Sequence, residues 1–158
     1  MARRTFFSFH YERDVWRAGQ VRNSWVTQER TAAGFWDAAK WEEVKKKGPD
    51  AIHKWIDDQL DGTSVTVVLI GAETSTREYV DYEITQSHKK KNGMLGIYIH
   101  NMKDVNGKTD KQGANPFAKW TFKRDGNLVT YQTYDWIADN GYANMGSWIE
   151  AAAKKAGR

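Results

Sequence analysis

The stretch Ser64-Val-Thr-Val-Val-Leu-Ile-Gly-Ala-Glu-Thr-Ser-Thr-Arg-Glu-Tyr-Val-Asp-Tyr-Glu-Ile84 decides the fold. Val65 to Ile70 is apolar except for Thr66, the pattern of a strand covered on both faces, as in a parallel sheet between helices. It predicts the central strand. Ser75 with Glu78 three residues later has the spacing of a capping box and predicts a helix beginning there. On that helix Val80, Ile84 and Ser87 form the stripe that faces the sheet. Tyr79 and Glu83, four apart, share a neighbouring face near the strand's C-terminal end. That edge is where open α/β sheets bind ligands.

Working outward, Arg4 to His10 reads as a first strand, and Tyr11 opens a helix running to about Trp25 with Val15, Ala18 and Arg22 on one face. Phe35-Trp36-Asp37 reads as a short second strand. Trp41 to Lys47 places acids before bases, the order that suits a short helix, and Pro49 opens the next, which Asp61-Gly62 stops. Beyond the opening stretch, Lys89 to Gly93 ends a helix, with Gly93 as the turn residue, and Met94 to His100 is another buried strand. Residues 101–117 lack apolar periodicity and form a long loop. Asp125-Gly126 marks a hairpin, a last parallel strand falls within residues 128–136, and Ser147 with Glu150 gives a second capping box before a closing helix. The alternation predicts one domain with a flavodoxin-like, three-layer α/β fold and a mostly parallel five-stranded sheet.

Composition narrows the chemistry. Cysteine is absent, which excludes disulfides, thiol catalysis and Cys-based zinc sites. No glycine-rich phosphate loop and no nucleophile elbow is present. His10, His53, His88 and His100 lack metal-ligand spacing; His53 and His88 fall on exposed helix faces, while His10 and His100 fall at strand ends on the ligand edge. Eight Trp, seven Tyr and six Phe are many for 158 residues; they can fill the core and its edge, or in part line a pocket or an interface. The net charge of +4 permits an anionic partner without choosing one. The lysine clusters sit at helix ends with no aromatic platform between them, which argues against a nucleic-acid binder. With no signal-peptide core and no membrane-length apolar run, a cytoplasmic protein is expected. Asp14, Asp37 and Glu83 could gather on one edge, and the residues alone leave Glu83 open between a buried ion-pair member and a ligand-site carboxylate.

Thr5-Phe-Phe-Ser-Phe-His10 followed by Tyr-Glu-Arg-Asp14 resembles the first-strand signature of TIR domains. Val67-Val-Leu-Ile70 with residues 75–84 is similar to their third strand and following helix, which carries an aromatic residue and, four positions on, a catalytic glutamate. Gln20-Val-Arg-Asn-Ser24, Trp41-Glu42 and Gly96-Ile-Tyr-Ile-His-Asn101 extend the likeness over nearly the whole chain, toward the bacterial TIR-like proteins of Thoeris antiphage defence. The resemblance implies an NAD+ glycohydrolase or cyclase that breaks the nicotinamide–ribose bond and makes a cyclic ADP-ribose isomer as a signal. It implies Glu83 as the catalytic residue and Tyr79 as the aromatic residue before it, where the family usually has Trp. Ser8, Phe9, His10, Asp37 and Trp41 would enclose the substrate. It further implies NAD+ as substrate with no separate cofactor or metal, self-association on activation, a phage-derived trigger, and a separate effector protein that reads the signal, with no role for membrane or nucleic acid. The alternative within the same resemblance is a non-enzymatic module that acts by assembly.

Overall fold

A computed structural model describes residues 4–26, 32–33 and 38–158. In chain order the elements are β1 (Thr5–Ser8), α1 (Val15–Val26), β2 (Ala32–Ala33), α2 (Ala38–Lys46), α3 (Pro49–Leu60), β3 (Val65–Ile70), α4 (Glu78–Lys89), β4 (Gly93–Tyr98), β5 (Phe122–Arg124), β6 (Asn127–Val129), β7 (Gln132–Asp135) and α5 (Gly141–Lys155). The main sheet runs β2-β1-β3-β4-β7 with every pairing parallel, and β5 with β6 forms a separate antiparallel hairpin. This is the flavodoxin-like order, with the direction of progression reversing at β1 and β3. Right-handed crossovers place α1 on one face and α2, α3 and α4 on the other, and α5 returns to touch α1. Among the described residues no helix is long and apolar enough to cross a membrane.

β3 is central, as its uninterrupted apolar run predicts: all six residues are buried, with β1 in register on one side and β4 on the other. α4 turns Tyr79, Val80, Glu83, Ile84 and Ser87 inward. Its lower end is tied to the sheet by a buried polar seam, Ser87 Oγ to Thr66 Oγ1 at 2.7 Å, with Asn92 Nδ2 donating to Thr63 Oγ1 at 3.0 Å. Pro49 opens α3 and Gly62, at φ 77°, turns the chain after it. Asp125 and Gly126 both take positive φ, the requirement of the tight hairpin turn read at that dipeptide.

Several local expectations are corrected. α4 does not start at a Ser75/Glu78 capping box: Thr74–Thr76 is a 3-10 turn, and the helix begins at Glu78 after Arg77, with no side-chain cap. The hydroxyl at work there is Thr74, whose Oγ1 accepts the Gly71 N–H at 2.8 Å and so ends β3. Likewise Ser147 and Glu150 lie inside α5, which starts six residues before Ser147, where Gly141 lets the backbone press against the Trp136 ring. Residues 11–14 form a turn before α1, and the inward face of α1 carries Arg17, Ala18, Val21, Ser24 and Trp25 while Val15 and Arg22 face out. The second strand is Ala32–Ala33, and Phe35 to Asp37 lies outside the described residues. The turn after α4 is made by Lys91 at φ 63°, not by Gly93.

Gly93 has a different reason to be glycine. A Cβ there would run into the backbone carbonyl of Ala152 in α5, which cannot swing aside as a side chain could. Gly93→Ala is therefore expected to lower unfolding stability by about 1–3 kcal/mol, the usual cost of overpacking, read by urea denaturation. An unchanged midpoint would show that α5 is free to shift away from β4.

The long loop 101–117 is held down by α1. Arg17 Nε donates to the Met102 carbonyl at 2.8 Å and Nη2 to that of Lys108 at 2.9 Å, while Gln20 Nε2 reaches the Lys103 carbonyl. Arg13 bridges Glu73 and Asp110, each at 2.7 Å. The Arg17 and Gln20 bonds give the carbonyls of Met102, Lys103 and Lys108 side-chain donors from α1.

Candidate active site

Three elements meet at the C-terminal edge of the sheet. β1 ends in Ser8, the turn after it carries Tyr11, and the inward face of α4 presents Tyr79 and Glu83 one turn apart. Glu83 is completely buried, at 0 % exposure. Ser8 Oγ donates to Glu83 Oε1 at 2.9 Å and Tyr11 Oη donates to Oε2 at 2.5 Å. Tyr11 is also fixed from its own backbone, whose N–H donates to Tyr79 Oη at 3.0 Å. The Tyr11 and Tyr79 rings lie parallel with centroids 4.9 Å apart, and Trp41 from α2 closes against both, at 5.1 and 5.4 Å. Phe9 meets Tyr11 edge-on from below at 4.8 Å, and the Arg77 guanidinium lies 5.5 Å from the Tyr79 ring centre. The result is one carboxyl group held by two hydroxyls beneath an aromatic cluster.

The surroundings set its charge. Burial pushes the Glu83 carboxyl up to about 8, against the opposing pull of the Tyr11 and Ser8 hydroxyls. Burial likewise raises the Tyr79 hydroxyl to about 12. His10 is held below its ordinary range, first by burial and then by the Arg77 charge. Its Nδ1 accepts the Arg13 N–H at 3.1 Å, so the neutral ring carries its proton on Nε2.

Of the residues expected at the site, Ser8, Phe9, Trp41 and Tyr79 join Glu83 in one contiguous group. His10 flanks the group through the turn that holds Tyr11, and Asp37 lies outside the described residues. His100 belongs to the neighbouring loop: its carbonyl accepts the Asp110 N–H and its ring lies edge-on to Tyr98. His53 stacks on Tyr82, and His88 hydrogen-bonds Tyr131, so neither sits on a bare helix face. Among the described residues no three His, Asp or Glu are placed to hold a metal ion.

Sequence reasoning missed Tyr11, which it read as the first residue of a helix. The available signal was the run Phe9-His-Tyr11 directly after a buried strand, where a side chain on the ligand edge is placed to contact the site. Asp14, an acid expected on this edge, pairs with Arg17, which sequence reasoning missed; the two are only 1 % and 4 % exposed, with Arg17 Nη1 3.6 Å from Asp14 Oδ1. Burial raises the Asp14 carboxyl to about 6, with the Arg17 charge working the other way.

Asp14 and Glu83 both keep a proton in the folded chain at pH values where the unfolded chain, at the ordinary 3.8 and 4.5, has lost it. Their contribution to stability is therefore fullest at low pH and is lost as pH rises, through about 6 for Asp14 and about 8 for Glu83. Relative to wild type, Glu83→Gln is thus expected to gain stability steadily as pH rises across that window. Urea denaturation of both proteins across it provides the measurement, and a difference that stays constant with pH would show Glu83 to be ionised throughout.

The profile of the family described as "Thoeris protein ThsB, TIR-like domain" matches residues 6–104, which run from β1 through α4 and β4 and so include every residue of the group around Glu83. The chain belongs to this Thoeris ThsB TIR-like family. A curated Bacillus cereus (strain MSX-D12) protein, "Putative cyclic ADP-D-ribose synthase ThsB1", is 36% identical to it over 191 aligned positions, covering 94% of this chain and 100% of the relative. Since 191 exceeds the 158 residues here, that alignment carries gaps in this chain. The β5–β6 hairpin, β7 and α5 lie beyond the part that the ThsB TIR-like profile matches.

Proposed function

We propose that this ThsB-type protein cleaves NAD+ at the nicotinamide–ribose bond and cyclises the remainder into an ADP-ribose isomer, a nucleotide signal in antiphage defence. The observation that carries this reading is Glu83 itself, a carboxyl group at the ligand edge held by Ser8 and Tyr11 beneath a cluster of aromatic rings. The name of the Bacillus cereus relative supports the same reaction class.

In this reading Glu83 is the catalytic residue. As the bond breaks, its electron pair leaves with the nicotinamide nitrogen and the ribose C1 becomes oxocarbenium-like. An ionised Glu83 stabilises that charge, as a carboxylate does in glycoside cleavage. Capture by water gives ADP-ribose, whereas capture by a nucleophile of the same molecule gives a cyclic product, with one proton released in either case. Tyr79, Trp41 and Phe9 supply the aromatic surface that holds the departing ring and excludes water, and Ser8 and Tyr11 orient the carboxylate. His10 and Asp37 border the substrate.

The burial of Glu83 means that NAD+ enters only when the Tyr11, Tyr79 and Trp41 cluster opens, which a phage-derived trigger and self-association would bring about; a separate effector would read the product. The same burial favours a second reading, an assembly module with no turnover, because a carboxyl whose oxygens are both occupied serves equally well as a structural strut. Chromatography of NAD+ incubated with the protein, with and without phage-infected lysate, separates the two. Nicotinamide release together with a cyclic product is expected once the trigger is present. Oligomer formation without any nicotinamide release in the infected lysate would overturn the enzymatic reading in favour of the module.

A further inference from the structure

We propose that the cavity between the β5–β6 hairpin, β7 and the C-terminal half of α5 is a second small-molecule site, which takes an aromatic anion. It encloses about 340 Å³ and opens at the N-terminal ends of β4 and β7, the edge of the sheet opposite Glu83. Its volume lies within the range of small-ligand sites, and its walls combine apolar surface with a few polar groups, as such sites do.

Two features specify the ligand. One is a π surface: Tyr134 and Trp148, both lining the cavity, stack at 4.1 Å, nearly parallel. The other is cationic. Arg124 lines the cavity and brings a guanidinium charge to its wall. A carboxylate, sulfonate or phosphate in the cavity would pair with this charge. Lys155 adds a second positive charge at the mouth while donating to the Thr130 carbonyl at 2.9 Å, and of the described lining residues only Asp125 carries a carboxyl. Flat ring and anionic group are thus both provided for, on residues that the reaction at Glu83 does not use. The inference stands independently of the NAD+ reading.

The test uses two probes of similar shape, the anion 1-anilinonaphthalene-8-sulfonate and the uncharged N-phenyl-1-naphthylamine, titrated by fluorescence into the full chain. Wild type is expected to bind the anion saturably at one site, with nitrogen-15 NMR shifts confined to the β5–β6 hairpin, the start of β4, β7 and α5. Arg124→Met is expected to weaken the anion by about tenfold or more, leaving the uncharged probe unchanged. Ala151→Trp, on an exposed position at the rim, should block both while the cooperative melting transition is kept. The proposal is overturned if Arg124→Met affects both probes alike or neither, if Ala151→Trp leaves binding intact, or if the shifts appear around Tyr11 and Glu83.

Discussion

Glu83→Gln is expected to keep the fold and to lower nicotinamide release by about a hundred- to a thousandfold, the scale on which removing one preorganised electrostatic contact slows a reaction. The substitution is nearly isosteric. Ser8 and Tyr11, which hold the two carboxyl oxygens at 2.9 and 2.5 Å, are hydroxyls that can each donate or accept, so an amide is accommodated in the same place. What is lost is the negative charge that would face the oxocarbenium-like ribose. Release of nicotinamide by Glu83→Gln at the wild-type rate, with the triggered protein compared at equal concentration, would remove Glu83 from the chemistry.

The second large effect is on pH dependence. With the buried carboxyl of the free protein raised to about 8, the ionised form is a minority at neutral pH. kcat/KM, which reports the free enzyme, is expected to rise about tenfold per pH unit up to that value and then level off. The positive nicotinamide ring of bound substrate favours the carboxylate, so kcat should level off at lower pH than kcat/KM. Tyr11→Phe sharpens the test. The Tyr11 hydroxyl is the stronger of the two contacts that pull the Glu83 carboxyl down, and its removal should move the kcat/KM inflection further to the alkaline side. A flat profile in wild type, or an acid shift in Tyr11→Phe, would contradict this assignment of the titrating group.

The central strand and the inward face of α4 were legible in the sequence because a single effect governs each, the burial of apolar area at a fixed period. Val65 to Ile70 has no solvent-facing alternative, and the spacing of Tyr79, Val80, Glu83 and Ile84 admits only one buried helical stripe. The capping boxes failed because Ser75/Glu78 and Ser147/Glu150 are local patterns worth about a kilocalorie, and tertiary packing outweighed them. α5 starts where Gly141 fits against Trp136, and no short-range pattern encodes that contact. Arg17 reads as a surface charge on α1 until the loop carbonyls of Met102 and Lys108 appear opposite it. At the site, Tyr79 and Glu83 could be paired because they are neighbours on one helix. The hydroxyl of Tyr11 could not, since its bond to Glu83 spans 72 residues and depends on how β1 meets α4.

The grip of Arg17 on the carbonyls of Met102 and Lys108 also bears on how this chain tolerates changes in length. Between those two anchors the backbone bows out through exposed Val105 and Gly107, and the anchors, not the bow, keep α1 and the end of β4 together. Doubling such a bow adds only about 0.6 kcal/mol of closure entropy. Residues 105–107, outside the Gln20–Lys103 and Asp104–Lys108 contacts, are therefore a place where homologues can gain or lose segments while the architecture on either side is inherited intact.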